Sequence, residues 1–322
     1  MKMFNKSYAI GKLSKNQYGL ISSMLRWLSS NSTNLATSLN VAERRKTPIL
    51  LVEDNHQKGV RYLRLNCPKN RNALSKEMID ALNYSIVDLL NDASEQHLKA
   101  EDSFKWLRAL IISSNVEDFF SSGHDLKELA TNSDREFRRE IFMDLGKFLM
   151  NLQQLSVPVI CQIDGLATAA GCQLAVSGDL ILATKKTRFS TPGSNFGLFC
   201  FNPSIALYRR TNFNLTAFLT LTGQSITAQE AFQNGMINSV SETTEELHDC
   251  TETILDSIRM KSKSVVAIGK QFLYKQAAIT NLSLAYSEGS DMMVNNLAMS
   301  DGQEGLDAFK EKRKPIWSHK LS

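Results

Sequence analysis

From Ile49 onward the chain alternates short apolar runs with longer amphipathic stretches. Ile49–Val52 and Val60–Leu65 are apolar or alternating runs around a turn and predict paired strands. Ser75–Leu90 carries Met78, Leu82, Ile86 and the Leu89/Leu90 pair at helical spacing, with Ser75 placed as an N-cap. Leu107–Ile112 reads as a buried strand. Arg135–Leu155 reads as a long amphipathic helix that Pro158 closes, because the proline ring disfavours helical backbone in the residue before it. Val159–Ile163 is strand-like, and the small residues of Gly165–Ser177 lead into a helix. Leu180–Ala183 and Arg188–Ser190 predict two more short strands. After Pro203 the pattern is mostly helical, with a short apolar piece at Met236–Val240. Strands alternating with helices, followed by a helical tail, predict an α/β core with parallel crossovers.

Composition adds little until the charge is located. Of 322 residues, 43% are apolar and 22% charged, ordinary values for a globular protein that exclude collagen, coiled-coil and largely disordered readings. No run of about 18 apolar residues predicts a membrane span. The formal net charge is +4, but residues 1–46 hold eight Lys/Arg and one acid. The remaining 276 residues hold 29 bases and 32 acids, a net charge of −3. Residues 1–42 lack acids and are rich in Ser, Asn and Thr, with spaced bases among Phe4, Tyr8, Leu13, Leu20, Met24, Leu25 and Leu28. That is the composition of a mitochondrial transit peptide, with a processing site expected near Arg26–Ser29 and matrix localisation expected for the mature chain. The five cysteines are scattered, and neither they nor the histidines show metal-ligand spacing, so no disulfide framework and no metal are expected.

Two glycine-containing turns carry the candidate chemistry. Phe119-Phe120-Ser121-Ser122-Gly123-His124-Asp125-Leu126 follows the strand at 107–112, and Gly165-Leu166-Ala167-Thr168-Ala169-Ala170-Gly171-Cys172-Gln173 follows the strand at 159–163. Small residues where a strand hands over to a helix expose backbone N–H groups, and two such donors aimed at one point make an oxyanion hole. The same residues also serve close strand–helix packing. Neither turn has the glycine pattern of a nucleotide phosphate loop.

These segments, with Leu65-Asn66-Cys67-Pro68, Asn72-Ala73-Leu74, Pro158-Val159-Ile160, Asp179, Asp301 through Gly305 and Phe309–Pro315, make the chain from about Ile49 to His319 resemble the enoyl-CoA hydratase/isomerase (crotonase) family. The resemblance implies a crotonase-like α/β spiral of β-β-α units over 47–240. It implies a helical trimerisation region over 241–322, giving a homotrimer or hexamer. An acyl-CoA thioester is the implied ligand, and no separate cofactor is expected. The family's oxyanion donors fall on the backbone N–H groups of His124 and Ala170. Its adenine-side pocket falls on the loop Lys69–Ala73, and its phosphate-side contacts on Phe309 and Lys312.

The chain departs from the family where hydration needs acids and bases. The family's two catalytic glutamates fall on Gln173, whose amide does not ionise, and on Gly193, which has no side chain. Each missing acid–base group costs about 10²–10⁴ in rate, so efficient enoyl-CoA hydration is not expected. An oxyanion hole still assists a thioester that brings its own electron pair, as in decarboxylation, and thioester hydrolysis or isomerisation are further alternatives. His124 is the titratable candidate beside the hole. Asp125 is expected to cap the next helix, and Cys200 to line the acyl pocket. RNA binding, known in one family member through a lysine-rich helix, finds only Lys76 beside Asp80 and Asp88 in the matching helix, and is set aside.

Overall fold

The alternation of apolar positions is resolved by two sheets that share their turns. The computed structural model describes residues 47–92 and 106–320. Its strands are β1 (Leu50–Asn55), β2 (Val60–Leu65), β3 (Ala109–Ser114), β4 (Phe119–Ser121), β5 (Val159–Ile163), β6 (Leu166–Thr168), β7 (Leu180–Thr184), β8 (Arg188–Ser190), β9 (Ser225–Thr227) and β10 (Ser239–Ser241). One sheet runs β1-β2-β3-β5-β7-β10 and the other β4-β6-β8-β9. β1 and β2 form an antiparallel hairpin, and from β2 to β10 every neighbour in the first sheet is parallel. Successive pairs β3/β4, β5/β6 and β7/β8 each place one strand in each sheet, which makes the core a spiral.

The period-2 pattern of the first sheet separates two cores. Leu63, Leu65, Leu110, Ile112, Val159 and Ile163 face the interior of the spiral. Val60, Ala109, Ile111, Ile160 and Leu182 face the other way, against Leu247 and Leu255. Those last two residues belong to a C-terminal helix, so the sheet is covered on both faces and β5 is buried throughout.

The helices are α1 (Lys76–Tyr84), α2 (Val87–Asp92), α3 (Leu126–Thr131), α4 (Arg135–Gln154), α5 (Ala170–Ala175), α6 (Phe201–Arg210), α7 (Phe213–Thr222), α8 (Ala228–Gln233), α9 (Thr244–Arg259), α10 (Lys263–Gln276), α11 (Leu282–Ala298) and α12 (Ser300–Glu311). Ser75 caps α1 through the Met78 N–H, as its position in the sequence predicts. α4 buries Ile141, Leu145, Phe148, Leu149 and Leu152 at helical spacing.

The structure corrects the single helix expected over 75–90, which is broken at Ser85. In a continuous helix the Ser85 carbonyl would accept from Leu89 N–H. Here it accepts from Nη1 of the buried Arg61 at 3.1 Å, while Leu89 N–H turns to Asp88 Oδ1 at 2.9 Å. A long-range cation thus takes the carbonyl that the helix needs. The three-residue strands β4, β6 and β9 are also additions to the expected pattern.

Helix α10 is tied to the spiral by a buried ionic knot. Lys270 Nζ lies 2.6 Å from Asp179 Oδ2 and donates to the Leu152 and Val157 carbonyls at 2.8 and 2.9 Å. Tyr274 donates its hydroxyl to Asp179 Oδ1 at 2.6 Å. Asp179 also accepts from Val159 N–H at the start of β5, and Arg210 of α6 donates to the Val176 and Gly178 carbonyls just past α5. Burial pushes the Lys270 ammonium pKa down, and the Asp179 carboxylate works against that. In contrast, α11 buries no residue and exposes Leu282, Tyr286, Met293 and Val294. The proposed transit peptide over 1–42 lies outside the described residues. No helix among the described residues is long and apolar enough to cross a membrane.

Candidate functional site

The loop 67–74 and the turn after β4 are stitched together by one buried side chain. Asn72, fully buried, accepts from Cys67 N–H at 2.7 Å and donates to Ser114 Oγ and the Phe120 carbonyl at 2.8 and 3.0 Å. Its carbonyl accepts from Ser121 Oγ at 2.7 Å. Leu74 N–H donates to the Gly123 carbonyl at 2.7 Å. This bridge leaves the His124 N–H with no partner among the described residues.

The second turn comes from β6 into α5 and meets the first at closest approach. A Cβ on Gly123, where φ is +86°, would stand 2.9 Å from Ala169 Cβ and 3.1 Å from the Ala170 nitrogen. A Cβ on Gly171 would stand 2.3 Å from the Ser121 carbonyl oxygen. Both glycines are therefore required by packing, and that packing brings the His124 and Ala170 turns to one place. The strain of this turn falls on Ala169 and not on Ala170: Ala169 adopts φ +49°, ψ −122°, while Ala170 opens α5 as its first helical residue. A non-glycine residue in that region costs about 1–3 kcal/mol. It turns the chain so that the first N–H of α5 emerges unpaired, as helix starts require.

Gln173 sits one turn further along α5, about 4.5 Å of helical rise from Ala170. Only 5% of it is exposed, and its side-chain oxygen is buried with no partner among the described residues. Gly193 lies in the short 3₁₀ turn Pro192–Phe196. A Cβ there would stand 2.3 Å from the Leu198 carbonyl oxygen and 2.8 Å from Cys200 Sγ. The position is thus closed to any side chain on this backbone. Cys200 is buried, and burial raises its thiol pKa, so the sulfur stays protonated and acts as an apolar neighbour.

His124 is the titratable group at the turns. Its Nδ1 lies 3.2 Å from the Leu74 carbonyl, which only accepts, so Nδ1 carries the proton and Nε2 keeps its lone pair. Phe142 meets the ring edge-on at 4.9 Å. Burial pushes the imidazole pKa down to about 4 against the opposing pull of the Leu74 carbonyl. The ring is neutral at physiological pH. Asp125 caps α3, accepting from Lys127 and Glu128 N–H at 3.0 and 3.2 Å.

The expected CoA-side residues fall in two places. Lys69 is exposed on the 3₁₀ turn 68–70, and Ala73 is buried beside it with its N–H on the Asn70 carbonyl. Phe309 is 84% exposed, and Lys312 caps α12 in the left-handed region at φ +54°. No described hydrogen bond or ion pair joins this C-terminal pair to the loop 67–74. Lys76, the only base of α1, is held by Asp144 and Glu140 at 3.2 and 3.3 Å as well as by Asp80.

A spiral of strand pairs, closed by glycine turns that converge at a helix start, is the crotonase fold. The chain belongs to the enoyl-CoA hydratase/isomerase family, whose model matches residues 55–320. It is 42% identical over 273 residues to enoyl-CoA hydratase domain-containing protein 3, mitochondrial, of Xenopus laevis, covering 85% of this chain and 87% of the frog protein. The human protein of the same name is 42% identical over 261 residues, covering 81% of each chain. Among solved structures, human enoyl Coenzyme A hydratase domain-containing protein 3 superposes with a TM-score of 0.76 at 39% identity, covering 84% of this chain and all of that one. An enoyl-CoA hydratase from Mycobacterium smegmatis superposes at 0.77 and 34% identity, covering 84% and 99%. The mitochondrial address read from the N-terminal composition agrees with the names of the frog and human relatives.

Proposed function

We propose that this protein is a mitochondrial matrix acyl-CoA-binding member of the family, acting in fatty-acid metabolism without efficient enoyl-CoA hydration. The His124 and Ala170 N–H groups polarise a thioester carbonyl. Lys69 and Ala73 flank the CoA on one side, and Phe309 and Lys312 meet CoA phosphates, in a trimer or hexamer assembled through the C-terminal helices. The exposed apolar residues of α11 favour such an assembly.

The observation that carries this reading is the pair Gln173 and Gly193. An amide stands where the water-activating carboxylate belongs, and the second position is blocked by the Leu198 carbonyl. With both groups absent, the hydration rate falls by at least one acid–base loss of about 10²–10⁴.

A second reading is favoured by His124. A neutral imidazole with a free Nε2 beside the thioester oxygen is a base for isomerisation or thioester hydrolysis, while decarboxylation needs only the oxyanion donors, with water protonating the enolate that remains. The full-length protein is incubated with enoyl-, malonyl- and saturated acyl-CoAs, and binding and turnover are followed together. Binding without turnover supports the first reading. Turnover abolished by His124→Ala and retained in Gln173→Ala supports the second. Hydration as fast as in two-carboxylate hydratases, or no thioester binding, overturns both.

A further inference from the structure

The last described residues double back over α12. After Lys312 the chain runs from the end of that helix toward its start, and residues 313–320 are exposed except for the half-buried Trp317 and His319. Burial this slight does not offset the entropy of ordering such a segment. Two carboxylates on one stripe of α12 hold it instead. Glu304 accepts from Nη1 of Arg313, from its Nη2 at 2.9 Å and from the Ile316 N–H at 2.7 Å. Asp301, one turn earlier and buried, accepts from the Ser318 N–H and hydroxyl, both at 2.7 Å, and from the His319 N–H at 3.0 Å. Between these anchors Trp317 lies 3.5 Å from where a Cβ on Gly305 would stand, and it donates its Nε1–H to the Met260 carbonyl at 2.9 Å.

The bend that this strap requires falls on Lys312. It takes φ +54°, ψ +36°, the left-handed conformation usual for glycine at a helix end, and the Arg313 N–H closes the turn on the Ala308 carbonyl at 3.0 Å. A lysine in that conformation is strained, and such strain persists only where the surroundings over-determine it. Its ammonium also differs from those beside it. Lys310 pairs with Asp307, and Arg313 pairs with Glu304 and Glu311, whereas Lys312 Nζ has no partner among the described residues. The Glu304–Arg313 pair fixes the residue directly after Lys312, and so fixes the direction in which that ammonium leaves the helix. The Arg313 guanidinium and the Ile316 N–H hold the Glu304 carboxyl down to about 2, so the anchor is ionised at physiological pH.

We infer that Glu304 is a positioning residue for Lys312: it ties down the strap 313–319 and so holds the Lys312 ammonium in place before a phosphate of the thioester ligand arrives. This rests on the acyl-CoA reading above. An anchored lysine does not have to be ordered on binding, and ordering the backbone of one residue is worth about five- to thirtyfold in affinity. The test is a double-mutant cycle on the full-length protein at low ionic strength. It is read by calorimetry with butyryl-CoA and, by competition, with butyryl-pantetheine, which lacks the adenosine phosphates. Lys312→Ala is expected to weaken butyryl-CoA binding about tenfold, the worth of an exposed hydrogen bond between charged groups. Glu304→Ala, which keeps a strong helix former in α12, is expected to weaken it about fivefold. In the double variant the loss stays within about twofold of that in Lys312→Ala, because the anchor acts through that lysine. Arg313→Ala cuts the same pair from the other side and is expected to repeat the Glu304→Ala result. Butyryl-pantetheine binding is expected to stay within about twofold of the parent in all four variants.

A loss of about fiftyfold in the double variant, the product of two independent effects, overturns the inference. So does an equal loss of butyryl-pantetheine binding in Glu304→Ala, which marks a general disturbance of α12. No effect of Lys312→Ala overturns it as well and leaves thioester binding standing. Failure of the parent to bind butyryl-CoA removes the acyl-CoA reading itself, and the inference with it.

Discussion

The turns at Gly123–His124 and Ala169–Ala170 and the positions Gln173 and Gly193 serve the same site by different means. The turns work through backbone N–H groups, which any residue other than proline supplies, and their placement rests on contacts such as Gly171 against Ser121. The other two positions work, where they work, through side-chain carboxylates. A single replacement removes such a group and leaves the fold untouched. A site built from both kinds of part loses its proton transfer before it loses its grip on a carbonyl, and the function proposed above places this molecule at that stage.

The backbone half of that contrast depends on the ionic knot that holds α5, α6 and α10 in register, and the largest effect is expected there. Lys270→Ala leaves Asp179 buried without its cation and should cost about 3–5 kcal/mol in chemical denaturation. A loss well below 1 kcal/mol would mean that α10 docks by apolar contact alone. Gly171→Ala comes next, at about 1–3 kcal/mol from overpacking against Ser121, with weakened thioester binding. Unchanged binding in that variant would show that the closeness of the two turns is irrelevant to the ligand.

The third effect is on pH. An unfolded His124 takes up its proton near 6.5, and the folded one resists protonation until about 4. Between these values the unfolded state binds more protons. The contribution of His124 is therefore full above pH 6.5 and is lost as pH falls toward 4. In His124→Gln this part of the acid slope should vanish, as read from denaturation midpoints across that range.

Two smaller effects separate the halves most sharply. Ala169→Gly relieves a positive φ and should raise stability by about 1 kcal/mol or less, since glycine also gains freedom in the unfolded chain. Gln173→Glu should yield no measurable hydration of crotonyl-CoA, because the second acid–base group is still missing. Robust turnover in that variant would show that one carboxylate suffices on this scaffold.

β1, β2, β3, β5 and β7 of the larger sheet were legible because five or six residues are enough to show apolar continuity, whereas its three-residue β10 showed only as part of the apolar piece at 236–240. β4, β6 and β9 were not legible, since three residues carry little period, although the equally short β8 was found at Arg188–Ser190. The break at Ser85 depends on Arg61, 24 residues away, and no local signal marks it. Within the site, small residues revealed both turns, and the missing carboxylates were visible once the family resemblance gave them places. What stayed hidden was pairing through space. Asp179 meets Lys270 and Tyr274 across some ninety residues. The strained alanine could not be told from its neighbour, because two adjacent alanines are chemically alike and only the turn distinguishes them.

The Leu198 carbonyl, which would stand 2.3 Å from a Cβ on Gly193, makes positions 173 and 193 unequal as engineering targets. Gln173 already carries a side chain of the length of glutamate, so an exchange there changes chemistry and little else. At 193 any side chain first needs the loop 193–200 to be reshaped, so installing a pair of carboxylates on this scaffold is one substitution plus one loop redesign.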